Sequence, residues 1–197
     1  MIDVVHDTQE FFRTILHCMS RPGTIKNIDG IGNQLQQLEK CRYATFLSAM
    51  TILDAEVSFH VIGENAAEIE GLFAAYTLSR PTELHKADYL FILQDAEAQL
   101  ISEAFLQAKK GTLRDPQQSA TIIMETEKLS NDPDLMLQGP GIETAENAQI
   151  AASELWMIDR AAANQEYPLG VDMILLDRHR NLMCLPRTTM LFEREVS

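Results

Sequence analysis

The sequence is 46% hydrophobic, which is enough apolar material for one well-buried core, and its 197 residues are few for two full domains. Its 29 acidic and 16 basic residues give a net charge of −13, which repels nucleic acids and anionic membranes, so we expect neither as a partner. No apolar run is long enough to cross a membrane and the acidic start is unlike a signal peptide, so we expect one cytoplasmic domain over residues 1–197.

The first two thirds of the chain predict helices that alternate with strands. A capping-box pattern at residues 7–10 precedes apolar residues at helical spacing from Phe11 to Met19, and Ser20-Arg21-Pro22-Gly23 ends that helix. A second apolar stripe from Tyr43 to Met50 predicts a helix, and the alternation from Val57 to Val61 predicts a strand. The patterns then predict, in order, a helix from Asn65 to Arg80-Pro81, a buried strand at 89–93, and a helix from Leu100 to Lys109-Lys110-Gly111.

The last third predicts one long helix and several strands. Apolar and alanine residues from Ala148 to Ala162 recur at helical spacing and predict the helix, over residues 143–164. The predicted strands are 121–124, 135–137, a hairpin of 171–176 and 182–185, and a final strand near 190–192. This order of elements predicts an α/β fold with a mixed sheet flanked by helices, a three-layer sandwich.

Several well-known catalytic patterns are absent from the sequence. It has no phosphate-binding P-loop, no His-Glu-x-x-His zinc pair and no Gly-x-Ser-x-Gly elbow, and its histidines and cysteines lack metal-ligand spacing. The three cysteines are therefore expected to be reduced and buried. None of the lysines has a setting suited to a Schiff base, and they are Lys26, Lys40, Lys86, Lys109, Lys110 and Lys128. We predict no catalytic residue, no metal and no cofactor, pyridoxal phosphate included.

Three short segments carry a resemblance to a known protein family. The first joins Phe11-Phe12-Arg13 to Cys18-Met19-Ser20-Arg21-Pro22-Gly23. The second runs from Thr121-Ile122-Ile123-Met124 to Leu137-Gln138-Gly139-Pro140-Gly141-Ile142, and the third from Tyr167-Pro168-Leu169-Gly170-Val171-Asp172 to Leu185-Pro186-Arg187-Thr188-Thr189. In order and spacing they resemble the H subunit of the bacterial carbon-phosphorus lyase machinery, although Tyr167 stands where that family usually has phenylalanine. The match gives no functional residue between about 27 and 110.

The resemblance implies a fold similar to the large domain of pyridoxal-phosphate-dependent transferases, without the cofactor. It also implies membership of a core complex with the G, I and J subunits, in which a phosphonate is joined to the ribose of ATP with loss of adenine. That reaction is the alpha-D-ribose 1-methylphosphonate 5-triphosphate synthase step, and the resemblance places its chemistry mainly in the neighbouring subunits. We therefore expect an essential, non-catalytic subunit that forms a homodimer and so hides part of its apolar surface.

Arg187 is the strongest single candidate for binding a ligand or a partner. Its guanidinium, flanked by the hydroxyls of Thr188 and Thr189, could bind a phosphonate, a nucleotide phosphate or a partner carboxylate. The alternative is an internal ion pair with Asp172 on the paired strand. This alternative is favoured, because buried arginines generally need a carboxylate partner.

Two turns provide the remaining candidates. Gly139 and Gly141 precede the predicted long helix, where free backbone amides could bind a phosphate. The acidic residues that follow would repel an anion, so an ordinary turn is the favoured alternative. Ser20 and Arg21 belong to a tight turn from which Arg21 could reach a partner or an anion. The rival function is a stand-alone enzyme or binding protein for a phosphate-bearing small molecule, which the lack of a nucleophile, base pair or metal cluster disfavours.

Overall fold

The computed structural model describes residues 4–32, 41–152 and 155–194, which form an α/β fold around a seven-stranded mixed sheet. The predicted α/β class, with a mixed sheet and flanking helices, is therefore confirmed. Lys40 lies outside the described residues. Within the described ranges, none of the helices combines the length and the apolar character needed to cross a membrane.

Most of the helices and strands of the structure lie where the sequence patterns predict them. The described helices are α1 (Val4–Ser20), α2 (Tyr43–Ile52), α3 (Ala66–Thr77), α4 (Ala98–Gln107) and α5 (Trp156–Ala163). The described strands are β1 (Lys26–Asn27), β2 (Ser58–Ile62), β3 (Arg80–Pro81), β4 (Tyr89–Ile92), β5 (Thr121–Thr126), β6 (Lys128–Gln138), β7 (Glu146–Ala151), β8 (Asp172–Asp177), β9 (Asn181–Leu185) and β10 (Met190–Glu193).

The large sheet has the strand order β1-β9-β8-β5-β4-β2-β3. Strands β8, β5, β4, β2 and β3 are parallel, whereas β9 runs antiparallel to β8 and β1 antiparallel to β9. The central strands are covered on both faces, which is why residues 89–93 and 171–176 are nearly continuous apolar runs in the sequence.

Successive side chains of the large sheet belong to two separate hydrophobic cores. One core lies under α1, α2 and α3 and includes an aromatic cluster of Phe46, Phe59, Phe73 and Phe91. The other core lies under α4, α5 and a second, three-stranded sheet with the order β10-β6-β7. The sheet thus has a helical layer on each face, and one of these layers is shared with the small sheet.

Helix α1 is anchored on the C-terminal hairpin. Its buried residues Phe11, Ile15 and Cys18 recur at helical spacing, as the sequence predicts. The Sγ of Cys18 lies 4.0 Å from the carbonyl oxygen of Leu182, and the Sγ of Cys184 lies 3.8 Å from that of Ile15. The first helix of the chain is therefore fastened to β9, one of its last strands.

The predicted long helix over residues 143–164 is wrong. Residues Glu146–Ala151 form β7, which pairs antiparallel with β6 and buries Ala148 and Ile150 on one face. Of the residues in this range that the structure describes, only Trp156–Ala163 are helical. Alanine recurs at a spacing that fits a helix, but Asn147 to Ile150 also alternate polar and apolar. Pairing with the long strand β6 decides between the two patterns, because strand formation depends on tertiary context more than on intrinsic propensity.

Several predicted helix ends also differ from the structure. Helix α1 is already helical from Val4, so the predicted cap at Asp7 lies inside its first turn. Helix α3 ends at Thr77, with Leu78 in the left-handed region, and Arg80–Pro81 form a short edge strand. Helix α4 ends at Gln107, before the lysines and glycine that the sequence assigns to its end. These shifts are typical of helix boundaries, which fray by a residue or two.

Candidate functional site

Arg187 lies in the connection between β9 and β10, and all of its guanidinium donors are occupied. Its Nη2 lies 2.5 Å from Asp172 Oδ2, and its Nε donates to Asp172 Oδ1 at 3.3 Å. Nη1 donates to the carbonyl oxygens of Pro116 at 3.0 Å and Pro168 at 3.3 Å, and Nη2 donates to Ser119 Oγ at 2.5 Å. An arginine has five N–H groups, so none is left over.

The internal ion pair that the sequence offered as the alternative role of Arg187 is therefore present. Asp172 also accepts the backbone amide of Arg187 at 2.7 Å, so one carboxylate orients both the backbone and the side chain. The guanidinium ties β8 to the loop that contains Pro116 and Ser119. A phosphate could reach Arg187 only by displacing one of these acceptors.

Thr188 and Thr189 differ in their surroundings. Thr188 is half-buried, whereas Thr189 is only 2% exposed and donates its backbone amide to the Pro186 carbonyl at 2.9 Å. The Thr189 Oγ1 has no hydrogen-bond partner. A buried hydroxyl without a partner is uncommon and needs an explanation.

The glycine turn, residues 139–142, connects β6 to β7 and bridges two groups of candidate residues. A Cβ on Gly139 would lie 2.8 Å from the Thr188 carbonyl oxygen, and one on Gly141 would overlap the Ser20 carbonyl oxygen. Both glycines have positive φ, at 145° and 86°, which other residues adopt only with strain. The fold therefore brings Ser20 and Thr188, distant in sequence, against the same turn.

The glycine turn is not a phosphate site at a helix N-terminus. Residues 146–151 form β7, so the turn joins two strands. Its amides therefore do not lie at the positive end of a helix dipole. Ser20 and Arg21 remain exposed at the end of α1. Ser20 Oγ donates to the His17 carbonyl at 2.9 Å, and Arg21 Nη1 lies 3.2 Å from His17 Nδ1. Among the described residues, the exposed guanidinium of Arg21 therefore contacts the imidazole of His17 at the surface.

Arg160 is a buried cation that the sequence analysis does not single out. It is 3% exposed and shares the buried face of α5 with Trp156 and Ala163, at positions i, i+4 and i+7. That spacing is the signal that could have identified it, since a charged residue rarely occupies the apolar face of a helix without a specific role.

The guanidinium of Arg160 is held by backbone carbonyls instead of a carboxylate. Nη1 donates to the Thr189 carbonyl at 3.0 Å and Nη2 to the Pro186 carbonyl at 2.7 Å. Its buried Nε has no partner. Burial lowers the pKa of Arg160 to about 10, a change that the negative charge of Asp172 partly opposes, so the group is still protonated at neutral pH.

A cavity of about 410 Å³, which we call the α5–β10 cavity, lies beside Arg160. Arg160, Thr189 and Arg187 belong to its lining. The apolar part of the lining consists of Met157, Ile158, Ala161, Met190, Leu191 and Phe192. The volume and the mixture of apolar walls with a few polar groups are those of a small-molecule site.

Other buried reactive groups in the described residues are already engaged. Glu125 accepts hydrogen bonds from Thr45 Oγ1 at 2.5 Å and the Gln94 amide at 3.1 Å, and pairs with Arg42 at 3.4 Å. The three cysteines are free and buried, as predicted, and burial together with the charge of Glu125 raises the pKa of Cys41 to about 12. No group of three or more described His, Cys, Asp or Glu residues is arranged to hold a metal ion.

Comparison with known proteins identifies relatives of this chain. The model of the family described as bacterial phosphonate metabolism protein (PhnH) matches residues 1–191. The chain is 27% identical over 201 residues to the alpha-D-ribose 1-methylphosphonate 5-triphosphate synthase subunit PhnH of Rhizobium meliloti (strain 1021), covering 98% of this chain and 94% of that protein. It is 39% identical over 80 residues to the putative C-P lyase subunit protein HtxG of Stutzerimonas stutzeri, and this match spans 40% of each chain.

Proposed function

Because this chain belongs to the family of bacterial phosphonate metabolism proteins (PhnH), we propose that it is a subunit of a carbon-phosphorus lyase complex that acts in the catabolism of organic phosphonates. The match of the family model over residues 1–191 carries this proposal. The names of both relatives describe subunits of larger assemblies, which agrees with it.

The proposed step is the joining of a phosphonate to the ribose of ATP with release of adenine. The name of the Rhizobium relative, a subunit of alpha-D-ribose 1-methylphosphonate 5-triphosphate synthase, supports this assignment. In this proposal the chain works in the cytoplasm and is essential but non-catalytic. It positions the G, I and J subunits, in which the bond-making residues lie.

The same proposal makes the chain a cofactor-free relative of the large domain of pyridoxal-phosphate-dependent transferases. The surroundings of four of the described lysines support the lack of cofactor. Lys86 pairs with Glu83, Lys109 with Asp88 and Lys128 with Asp132, and Lys110 Nζ donates to the Leu106 carbonyl. A lysine that forms a Schiff base must instead present a free, deprotonated amine to the aldehyde.

Exposed apolar side chains on α1 support a role in assembly. Phe12 is 46% exposed and Leu16 is 52% exposed, and they lie one turn apart on the same side of the helix. Large apolar groups that face solvent together are typical of surfaces that another protein covers. We assign this side of α1 to contact with a partner subunit.

Co-purification tests the proposed assembly. A tagged version of the chain, expressed from its own locus in cells with methylphosphonate as sole phosphorus source, should bring down the other core subunits. Deletion of its gene should abolish growth on methylphosphonate and leave growth on phosphate unchanged. Assembly of the other subunits without this chain, together with normal growth of the deletion strain, would refute the proposal.

A matched pair of variants locates the interface. Phe12→Asp with Leu16→Asp should abolish co-purification, whereas Leu113→Asp, at a loop position that is 77% exposed, should leave it intact. Equal melting temperatures of the two variants would show that folding is not the cause.

The α5–β10 cavity favours a second candidate function, that of a binding protein or enzyme for a phosphate-bearing small molecule. Release of adenine from ATP and methylphosphonate by the isolated chain would establish the enzyme. We expect no release, because the described cavity residues offer two cations, a hydroxyl, an amide and the single carboxylate of Glu193, but no paired acid and base.

A further inference from the structure

We propose that the α5–β10 cavity binds a small molecule with one compact oxyanion head and a short apolar group, and that Arg160 and Thr189 hold the head. This inference is independent of the proposed assembly, because it follows from the groups that line the cavity. The head is a carboxylate, phosphate or phosphonate, which share the same arrangement of acceptor oxygens.

Within the described residues, no carboxylate pairs directly with the positive charge of Arg160. Other partly buried arginines of the described chain pair with carboxylates, as Arg187 does with Asp172 and Arg42 with Glu125. Both hydrogen-bond partners of Arg160 are backbone carbonyls, and the nearby Asp172 is already engaged by Arg187. A buried charge without a counter-ion is strongly unfavourable, so an anion that enters the cavity supplies what the chain itself does not.

Two of the buried polar atoms without hydrogen-bond partners belong to residues that line this cavity. The Nε of Arg160 and the Oγ1 of Thr189 both lack a hydrogen-bond partner. Their residues line the same cavity, and the hydrogen bond from Arg160 Nη1 to the Thr189 carbonyl, at 3.0 Å, holds them together. A guanidinium and a hydroxyl are donors that oxyanions prefer, and charge-assisted hydrogen bonds are the strongest of this kind.

The rest of the lining determines the remainder of the ligand. The walls are formed mainly by apolar side chains, among them Met157 and Leu191, so the group attached to the head is apolar. Glu193 is the only carboxylate among the lining residues, and it disfavours a chain of phosphates. Ile158, Met190 and Phe192 are 68%, 55% and 41% exposed and leave the cavity open to solvent.

Arg187 does not hold the head in this proposal, although it also lines the cavity. Its five donors already have acceptors on Asp172, Ser119 and two backbone carbonyls. Its part is to keep the loop that contains Thr189 in place.

Calorimetric titration of the purified chain with phenylphosphonate, benzoate, inorganic phosphate and ATP tests the proposal. Phenylphosphonate or benzoate should bind, and the stronger of the two identifies the class of head. Inorganic phosphate and ATP should each bind at least about tenfold more weakly, since the first lacks the apolar group and the second carries a chain of charges.

Three variants assign the binding to the named residues. Arg160→Met removes the charge but keeps most of the apolar stem of the side chain, and should abolish binding. The protein should still fold, because removal of an uncompensated buried charge offsets part of the cost of losing the hydrogen bonds to the Thr189 and Pro186 carbonyls. Thr189→Val should weaken binding about tenfold at unchanged stability, because it removes only a hydroxyl that has no partner. Ala75→Ser on α3, outside the cavity, should change neither.

Clear outcomes overturn the proposal. The first is the absence of binding by every probe. The second is binding that survives in Arg160→Met or, if that variant does not fold, binding that is undiminished in Thr189→Val. The third is binding of ATP or inorganic phosphate as tight as that of the stronger of phenylphosphonate and benzoate. If an acidic partner subunit covers the cavity and none of the small probes binds, the site is assigned to a carboxylate of that partner. This result would likewise refute the proposal that the ligand is a small molecule.

Discussion

Arg160 and Arg187 contact the same loop but are in opposite electrostatic situations. Arg187 belongs to that loop and has a carboxylate partner, whereas Arg160 reaches it from α5 and contacts only backbone oxygens. In a low-dielectric environment the free-energy cost of burying a charge depends on the groups that contact it directly. Arg187 therefore contributes to the fold, whereas Arg160 is available to a ligand.

We expect Arg187→Met to lower the free energy of unfolding by on the order of 2 kcal/mol, because Asp172 is then left without its partner and is only partly solvated. The free energy of unfolding of Arg187→Lys should fall between those of the unsubstituted protein and Arg187→Met. An ammonium group can pair with Asp172 but cannot at the same time reach the Pro116 carbonyl and Ser119, as the planar guanidinium does. Urea denaturation measures all three proteins.

The double variant Arg187→Met with Asp172→Asn provides the control. It should recover much of the lost stability, since neither charge is then unpaired. Normal unfolding of Arg187→Met combined with loss of growth on a phosphonate would contradict the structural role and would assign Arg187 to binding.

Gly141 and Gly71 make a matched pair for the glycine turn. Gly141→Ala should destabilise the protein by about 1–3 kcal/mol, because φ at this position is +86° and the new Cβ would overlap the Ser20 carbonyl. Gly71→Ala should stabilise it by about 0.5–1 kcal/mol, because Gly71 lies inside helix α3 with open space around it. Thermal melts of both variants check the two signs, and equal shifts would contradict the argument.

At the scale of elements, most helices and strands follow from local patterns. The apolar spacing of α1 and α4 and the apolar runs of β4 and β8 are strong signals because burial on one face or on both leaves a period in the sequence. The segment 146–151 is different, since its alanines fit either period and only the partner strand β6 decides.

The same ambiguity explains what could not be predicted at the site. Asp172 falls on the first strand of the hairpin that the sequence predicts, and Arg187 follows two residues after the second strand, so their ion pair could be anticipated. Arg160 lies in a segment assigned to a much longer helix, and its closeness to Thr189 depends on the docking of α5 beside β10. Contacts between elements far apart in sequence are fixed by tertiary packing, on which local patterns carry no information.

The hairpin of β8 and β9 depends on one carboxylate. Asp177 is buried and accepts hydrogen bonds from the backbone amides of His179, Asn181 and Leu129 at 2.8, 2.9 and 3.0 Å. Asp177→Ala should therefore lower the free energy of unfolding by on the order of 3 kcal/mol, because three backbone N–H groups, one buried and two partly buried, lose their carboxylate acceptor.

Chemical denaturation, with exchange of the amide protons of residues 179 and 181, measures the effect of Asp177→Ala. Asp29→Ala, which removes an exposed ion pair with Arg180 at 3.4 Å, should change the stability by less than about 1 kcal/mol and serves as the control. Similar losses for the two variants would show that Asp177 does not organise the turn.

At the scale of the whole molecule, the apolar surface that remains exposed predicts self-association. Apart from the side of α1 assigned to a partner, Tyr76 and Leu78 are 61% and 73% exposed at the end of α3. We expect a two-fold dimer, because a closed symmetric pair covers such surface on both copies at once. Light scattering should report more than one chain per particle at micromolar concentration, and a strict monomer at every concentration would contradict the prediction.

The fastening of α1 to β9 has a consequence for the newly made protein. The contact between Cys18 and Leu182 joins residues 164 positions apart, so a ribosome that adds about 5–20 residues per second needs on the order of ten seconds or more to supply the second after the first. During synthesis the apolar side of α1 that faces β9 therefore has no native partner and must be shielded by the rest of the nascent chain or by a chaperone. For the same reason, a stop codon before residue 181 would leave the first helix of the protein without the strand that covers it.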